Sequence, residues 1–353
     1  MPGNLPLDEK RNTLQAVSNP LSLRVERAEP AQNRNLARFA WIVVFYNILV
    51  VLWGALVRAS GSGAGCGNHW PLCNGQVIPV SPGTHTMIEF THRMMTGGLT
   101  FAVLGLVGWI FWATKRGHAA RFFAVASLVL LLNEAFLGAL LVKLDYVTTN
   151  QSTGRVVMLA IHLSNTLLLL TALTLTARFA SATQSWRSLN RGRWLGWAIC
   201  GAAATLAVGV TGSLAALGDT LFPAGSLTQA LTQDFRANSP VLLKLRLVHP
   251  LSAIIAGLFV VWLVVRAHAT RNTPDPTRAK LARLLLLILG FQFLLGIADV
   301  LLLAPAWMQL IHLLGADLYW VVLILLSAET VWPESWESPA TNEPSPKMHE
   351  PVL

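Results

Sequence analysis

The sequence predicts an all-α integral membrane protein whose eight transmembrane helices form two pseudo-symmetric four-helix bundles. Three observations predict this fold class. Of the 353 residues, 54% are hydrophobic and only 12% are charged, whereas soluble domains carry about 25% charged residues. Eight apolar stretches are long enough, at about 20 residues each, to cross the hydrocarbon core of a bilayer. Histidines and short glycine-containing motifs recur at matching positions in the two halves of the chain.

The elements follow in order from the hydropathy of the chain. Residues 1–36 are polar, and without an apolar core after their first charges they predict a cytoplasmic tail rather than a cleaved signal peptide. Because lipid offers the backbone no hydrogen-bond partner, each apolar span is predicted to be a helix. The spans lie near 38–58, 92–114, 122–143, 156–178, 193–215, 246–266, 281–303 and 306–328. We therefore expect halves at 37–180 and 181–330, followed by a cytoplasmic tail at 331–353.

Basic residues predict the orientation of these helices. The long connections 59–91 and 216–243 contain only Arg236 among lysines and arginines, so they are predicted to face outward. Both termini are then cytoplasmic, and we expect the protein to lie in the cell (plasma) membrane. Because the net charge of +9 comes from clusters between apolar runs, it indicates topology and membrane lipid, not a nucleic-acid partner. The inner clusters are the N-terminal tail, Lys115, Arg116, Arg121, Arg187, Arg191, Arg193, Arg266, Arg271, Arg278, Lys280 and Arg283.

Four histidines fall inside these apolar spans. Met-Leu-Ala-Ile-His-Leu around His162 resembles Met-Gln-Leu-Ile-His-Leu around His312, and His92 and His249 open the spans that lie two earlier. The predicted topology places all four near the outer surface. Ionisable residues within a membrane are costly and usually functional. The sequence therefore predicts two ligand pairs, His92 with His162 and His249 with His312.

Haem is the group that best suits such pairs. Imidazole binds zinc, copper and iron, but zinc and copper sites normally recruit further ligands, and the second half offers none beside its two histidines. A haem needs only two axial histidines, one from each side, between the helices of a bundle. The remaining histidines lie in loops or tails and predict no cofactor site: His69, His85, His118, His268 and His349.

The connection 59–91 carries the sequence Cys66-Gly-Asn-His-Trp-Pro-Leu-Cys73. Two cysteines at this spacing on the oxidising side of a membrane can close a small disulfide loop. The loop is either a structural staple or a redox-active pair, and the spacing does not decide between them. Cys200 lies in the fifth span and is predicted to be a packing residue.

Glu89 precedes His92 by three residues and should share its helix face. A carboxylate there favours the positive end of a helix, and beside a haem it could also accept protons or stabilise a cationic intermediate. In the second half, Arg246 stands at the corresponding position before His249. This asymmetry predicts one site for chemistry and one for electron transfer or structure.

The chain resembles the haem A synthase family over residues 38–328. The resemblance rests on Val-Arg-Ala-Ser-Gly-Ser-Gly at 57–63, Trp-Pro-Leu-Cys-Asn-Gly-Gln at 70–76, Glu89-x-x-His92-Arg93 and the three later histidines. It implies an oxidoreductase that converts the C8 methyl group of haem O to a formyl group, giving haem A for cytochrome oxidase. One departure is Pro250, which follows His249 where Arg93 follows His92.

The resemblance also implies roles for particular residues. His249 and His312 would hold a permanent haem b through its iron, His92 and His162 would receive the substrate haem O, and Glu89 would be catalytic. Cys66 and Cys73 would be the extracytoplasmic pair of bacterial members. Residues at the outer helix ends are candidates to pair with haem propionates, with interfacial snorkelling as the alternative: Arg58, Lys143, Arg155, Lys244 and Arg246.

Partners and rival functions complete the predictions. A haem O synthase (protohaem farnesyltransferase) is an expected partner, because its greasy product would otherwise diffuse freely. The sequence leaves a homo-oligomer open. One alternative function is a dihaem b-type membrane electron carrier, although all four histidines lie near one face, and such carriers usually stack haems at two depths. The other is a haem transporter or chaperone.

Overall fold

The computed structural model describes residues 29–181, 192–269 and 275–332. Within these ranges it contains nine α-helices and no β-strand. Eight of the helices are long and apolar enough to cross a membrane, which confirms the predicted fold class. In chain order they are α1 (Glu29–Ala59), α2 (Thr84–Ala113), α3 (Ala119–Lys143), α4 (Thr153–Ala180), α5 (Arg193–Leu221), the short α6 (Leu227–Phe235), α7 (Val241–Ala269), α8 (Pro276–Leu301) and α9 (Ala306–Val331).

Several helices extend beyond the predicted spans. Helix α1 begins at Glu29, inside the predicted tail, and α2 begins at Thr84 instead of 92. Hydropathy detects only the apolar centre of a transmembrane helix, whereas polar residues can continue the helix into the interface. The rest of the N-terminal tail (1–28), nearly all of the C-terminal tail (333–353) and Arg187, Arg191 and Arg271 lie outside the described residues.

Local capping explains where some helices begin. The Ser152 side chain accepts a hydrogen bond from the backbone N–H of Arg155 at the start of α4. Asp275 accepts from the backbone N–H groups of Thr277 and Arg278, and Pro276 occupies the first turn of α8. Such side chains satisfy backbone donors that have no partner within the helix.

Each half of the molecule is a closed ring of four helices. In the first half, α1 packs on α2, α2 on α3, α3 on α4, and α4 returns to α1. The second half repeats this order with α5, α7, α8 and α9. Helices α1 and α4 of the first ring face α5 and α9 of the second. This arrangement is the pseudo-symmetric pair of bundles that the sequence predicts.

The two rings meet along α4 and α9, which carry many of the buried residues. The indole Nε1 of Trp320 donates to the Leu167 carbonyl at 3.0 Å and to Thr171 Oγ1 at 2.9 Å. Arg178 Nε and Glu329 Oε1 form an ion pair at 2.5 Å across the same interface. Polar contacts between helices therefore join the halves as well as apolar packing.

The packing role predicted for Cys200 is wrong. Its thiol is free and its side chain is exposed on the outside of α5. The next residue, Gly201, is buried and lies against Leu263 of α7. Successive residues of a helix point about 100° apart, so the contact made by Gly201 turns Cys200 away from the bundle.

Candidate functional site

The four intramembrane histidines lie at one end of the bundle, the end that carries the connections 60–83 and 222–240. This end is called the loop end below. His92, His162, His249 and His312 each fall within about the first three turns of their helices. The sequence prediction that all four share one end therefore agrees with their placement.

The structure brings the histidines together in the predicted pairs. The ring centroids of His249 and His312 are 6.3 Å apart and their planes are inclined by 84°. His92 and His162 occupy the corresponding positions in α2 and α4 of the first ring. One member of each pair comes from the second helix of its ring and the other from the fourth.

A glycine on a neighbouring helix makes room for the first histidine of each pair. A Cβ placed on Gly54 of α1 would lie 3.0 Å from His92 Cε1, and one on Gly212 of α5 would lie 2.8 Å from His249 Cε1. Real Cβ atoms are almost never found closer than 3.0 Å to another heavy atom. A side chain at Gly212 would therefore force His249 to shift, and one at Gly54 would be tight enough that His92 must give by a few tenths of an ångström.

Glycines also adjoin the second histidine of each pair. A Cβ on Gly138 of α3 would lie 4.0 Å from His162 Cε1, and one on Gly296 of α8 would lie 3.5 Å from His312 Cε1. These glycines repeat along the chain with the same spacing as Gly54 and Gly212. The histidines and the small residues beside them therefore form one structural unit that occurs twice.

Unsatisfied ring nitrogens point to a missing ligand. Among the residues that the structure describes, the buried Nδ1 atoms of His92, His162 and His312 have no hydrogen-bond partner. Buried polar atoms are normally paired, and an exception calls for a ligand, an ion or water. Over the same ranges no group of three or more His, Cys, Asp or Glu could hold a metal ion. Each site thus offers two imidazoles, which fits a haem.

Cys66 and Cys73 form a disulfide bond in the connection before α2. The backbone N–H of Cys66 donates to Glu89 Oε2 at 2.8 Å, and Arg93 Nε donates to Glu89 Oε1 at 3.2 Å. Arg93 Nη2 donates to the same oxygen. The Glu89 side chain is buried, so its carboxylate is held between the disulfide loop and an arginine one turn along α2.

Arg93 also binds the disulfide loop directly. Its Nη1 donates to the carbonyl oxygens of His69 at 2.5 Å and Leu72 at 2.6 Å. Both carbonyls belong to the loop closed by the disulfide. The short segment between the cysteines is therefore fixed over the start of α2, against Glu89 and Arg93.

Arg246 occupies the place in the second half that Glu89 occupies in the first, and its surroundings are different. It forms ion pairs with Asp219 (2.9 Å) and Asp234 (3.4 Å), and Nη2 donates to the Gly218 and Phe222 carbonyls at 2.8 and 2.7 Å. Burial raises the pKa of the Asp234 carboxyl, and the nearby arginine charge opposes that rise. Helix α6, which the sequence did not predict, supplies Asp234 to this network.

The other four candidates for pairing with haem propionates bind within the protein. Arg58 crosses between the halves, because Nη1 donates to Thr220 Oγ1 at 3.1 Å and Nη2 to Gln309 Oε1 at 2.9 Å. The remaining three donate to backbone carbonyls: Lys143 to Asn68 at 2.9 Å, Arg155 to Thr148 at 2.6 Å and Asn150 at 2.7 Å, and Lys244 to Ala237 at 3.4 Å.

Glu134 is a residue that the sequence analysis missed. It lies in α3, and its Oε1 atom is 3.6 Å from His162 Nδ1. Asn165 Nδ2 donates to its Oε2 at 2.5 Å, and Thr166 Oγ1 donates to Oε1. A carboxylate in the middle of an apolar span is itself a functional signal, and that signal was present in the sequence.

Comparison with known proteins identifies the family. A family model described as "Cytochrome oxidase assembly protein", COX15-CtaA, matches residues 37–324, which is most of the chain. The chain belongs to this family. The resemblance to haem A synthase that the motifs indicated is confirmed at the family level, and the chain is a multi-pass membrane protein.

Curated relatives carry two different names. "Protoheme IX farnesyltransferase" of Thermus thermophilus is 43% identical over 303 residues, which cover 86% of this chain and 49% of that protein. "Heme A synthase" of Shouchella clausii is 40% identical and that of Exiguobacterium sibiricum 37%, each over 107 residues. These matches cover 30% of this chain and 36% of each relative. The chain thus spans half or less of the relatives it matches.

Proposed function

We propose that this member of the COX15-CtaA family is a haem A synthase. It would oxidise the C8 methyl group of haem O to a formyl group and so provide haem A for cytochrome oxidase. The observation that carries the proposal is a histidine pair that occurs twice on one scaffold, with a buried carboxylate, Glu89, three residues before His92 and Arg246 at the corresponding place before His249. We place the protein in the plasma membrane, and the basic residues support cytoplasmic termini.

The two pairs would hold two haems. His249 and His312 would bind a resident haem b, and His92 and His162 would bind the substrate haem O. The adjacent glycines and the two-imidazole donor sets support this assignment. When bound, haem b can carry one electron, while the protein positions the haem and sets the electrostatic field around it.

Glu89 would be the catalytic residue of the substrate site. Two successive two-electron oxidations, with oxygen atoms from water or dioxygen and electrons passed to dioxygen or an external acceptor, would turn the methyl group into a gem-diol, and loss of water would then leave the aldehyde. Breaking each C–H bond releases a proton, which a nearby carboxylate can accept. Glu89 could equally stabilise a positive charge that develops on the carbon. The Cys66 N–H and Arg93 hold this carboxylate in one position, so it is oriented before substrate arrives.

A haem O synthase is the partner that we propose. The Thermus relative is named for protohaem farnesyl transfer, and this chain matches 49% of its length. The region like this chain is therefore joined to a second region of similar size in that protein. A covalent link between the two regions supports a direct transfer of an apolar product from one enzyme to the next.

The decisive experiment measures haems from cells that express this chain together with a haem O synthase. The haems are extracted, separated by chromatography and identified by mass. We expect haem A with the wild type and none with His92→Ala. The control is His118→Ala, because His118 caps the start of α3 by accepting from the Ala120 N–H, at the opposite end of the bundle from the loop end, and the change should leave haem A formation intact.

The opposite result would favour another function. If the folded wild type, supplied with electron donors, accumulated only haem B and unreacted haem O, the synthase proposal would be wrong. A dihaem electron carrier or a haem transporter would then account for the histidine pairs.

A further inference from the structure

Glu134 contacts one histidine of the first pair from the side of α3. Its Oε1 atom is 3.6 Å from His162 Nδ1, slightly beyond hydrogen-bond range but close enough for an ion pair. The Nδ1 atom is buried and makes no hydrogen bond within the described ranges. A small rotation of either side chain would therefore form a carboxylate–imidazole hydrogen bond.

The carboxylate is anchored so that it stays near the imidazole. Asn165 Nδ2 donates to Oε2, and Thr166 Oγ1 donates to Oε1. Asn165 is itself held by Asn133, whose Nδ2 donates to its Oδ1 at 2.8 Å. The anchoring residues lie on α4 within about one turn of His162, so they position Glu134 relative to the histidine.

The second half has a neutral residue at the equivalent place. Gln292 of α8 follows Glu134 with the same chain spacing that relates Gly138 to Gly296. Its Nε2 donates to the backbone carbonyl of His312 at 3.2 Å. His312 thus has an amide beside its backbone, whereas His162 has a carboxylate beside its ring.

We propose that Glu134 is a positioning residue for His162. The inference rests on the proposed function, in which His162 binds haem iron. A carboxylate that accepts a hydrogen bond from the Nδ1–H group fixes the orientation and tautomer of the ring, leaves Nε2 for the metal, and makes the imidazole a more basic ligand.

This arrangement would make the two haem sites electronically different. A more basic ligand and a nearby negative charge both stabilise oxidised iron. The haem held by the first half should therefore have a lower reduction potential than one held by the same pair without Glu134. Gln292 gives the second half no such charge, which suits a site that passes electrons on.

The experiment is a redox titration of the purified full chain in detergent, loaded with ferric protoporphyrin IX and followed by absorbance. The component that disappears in His162→Ala belongs to the first half. We expect Glu134→Gln to raise the reduction potential of that component only, and Glu134→Asp to keep it near the wild-type value. The reciprocal Gln292→Glu should lower the potential of the other component.

Each outcome separates the hypotheses. A bound first-half haem whose potential is unchanged in Glu134→Gln would overturn the role of Glu134 alone. No haem binding by the wild-type first half would instead contradict the proposed function. If Glu134→Gln bound no haem, retention by Glu134→Asp at the wild-type potential would support the proposal. Loss of haem from both variants, each eluting as folded protein, would show that Glu134 is only structural.

Discussion

The two halves of this molecule use one scaffold for two electrostatic environments. Each ring of helices places a pair of histidines at the loop end and packs a glycine against each imidazole. In the first half, Glu89 precedes His92 by three residues, and Glu134 Oε1 lies 3.6 Å from His162 Nδ1. At the corresponding positions the second half has Arg246 and Gln292. The two halves therefore share the shape of the site but differ in charge at two positions beside it.

The connections that follow the first helix of each ring differ as well. The first half uses a disulfide loop whose Cys66 N–H binds Glu89. The second half uses helix α6, whose Asp234 pairs with Arg246. Each connection thus supplies a partner for the charged residue three positions before the first histidine: a backbone N–H for Glu89 and a carboxylate for Arg246. In each half, the connection and the charged residue that it binds therefore differ together.

Removing the first-half carboxylate should have the largest effect. Glu89→Gln keeps the size of the side chain but cannot take a proton, so we expect haem A formation to fall by about 100-fold or more. Haem content should stay at the wild-type level. The matched control is Glu329→Gln, a buried glutamate paired with Arg178 far from the histidines, which should still give haem A. Full conversion by Glu89→Gln would remove its catalytic role.

Filling the glycine positions should separate the two halves. Gly54→Ala forces a Cβ against His92 and Gly212→Ala forces one against His249, and such overpacking typically costs about 1–3 kcal/mol. We expect each variant to lose haem from its own half only, measured by haem content and redox titration. Gly97→Ala is the control, since its Cβ would meet nothing within 4 Å. Equal loss from both halves would argue against independent sites.

Opening the disulfide should weaken the first half more mildly. With Cys66→Ser and Cys73→Ser together, the loop loses its cross-link and Glu89 loses a fixed N–H partner. We expect haem A formation to fall by about tenfold, because small misplacements of catalytic groups reduce rates, while second-half haem is retained. Cys200→Ser, on the exposed face of α5, should match the wild type. Unchanged activity of the double variant would limit the disulfide to stability.

The smallest effect should come from the interface between the halves. Trp320→Phe removes the one indole N–H that the Leu167 carbonyl and Thr171 Oγ1 share, which predicts a loss of about 1 kcal/mol in the free energy of unfolding. Haem content of both halves should not change. The control is Trp112→Phe, an exposed residue of α2, measured in the same thermal unfolding assay. A haem loss in Trp320→Phe would show that the interface also shapes the sites.

Much of the fold and the site was accessible from the sequence. Long apolar stretches must become helices in lipid, so hydropathy sufficed for the eight spans, and the repeat sufficed to pair the histidines. Helix boundaries were less accurate, because polar residues such as those after Thr84 continue a helix outside the apolar core. Cys200 was misplaced because composition does not tell which face of a helix meets its neighbours.

The sequence by itself determined the class of protein, the number of spans and the residue types of the site, since these depend on composition and local spacing. Only the tertiary structure decided which groups act together. The Cys66 N–H reaches Glu89, Arg58 reaches Gln309, and Glu134 approaches His162. These contacts join helices or loops that are distant along the chain. They arise only when the rings close and the connections fold over them, because hydrogen bonds and ion pairs depend on distances of a few ångströms.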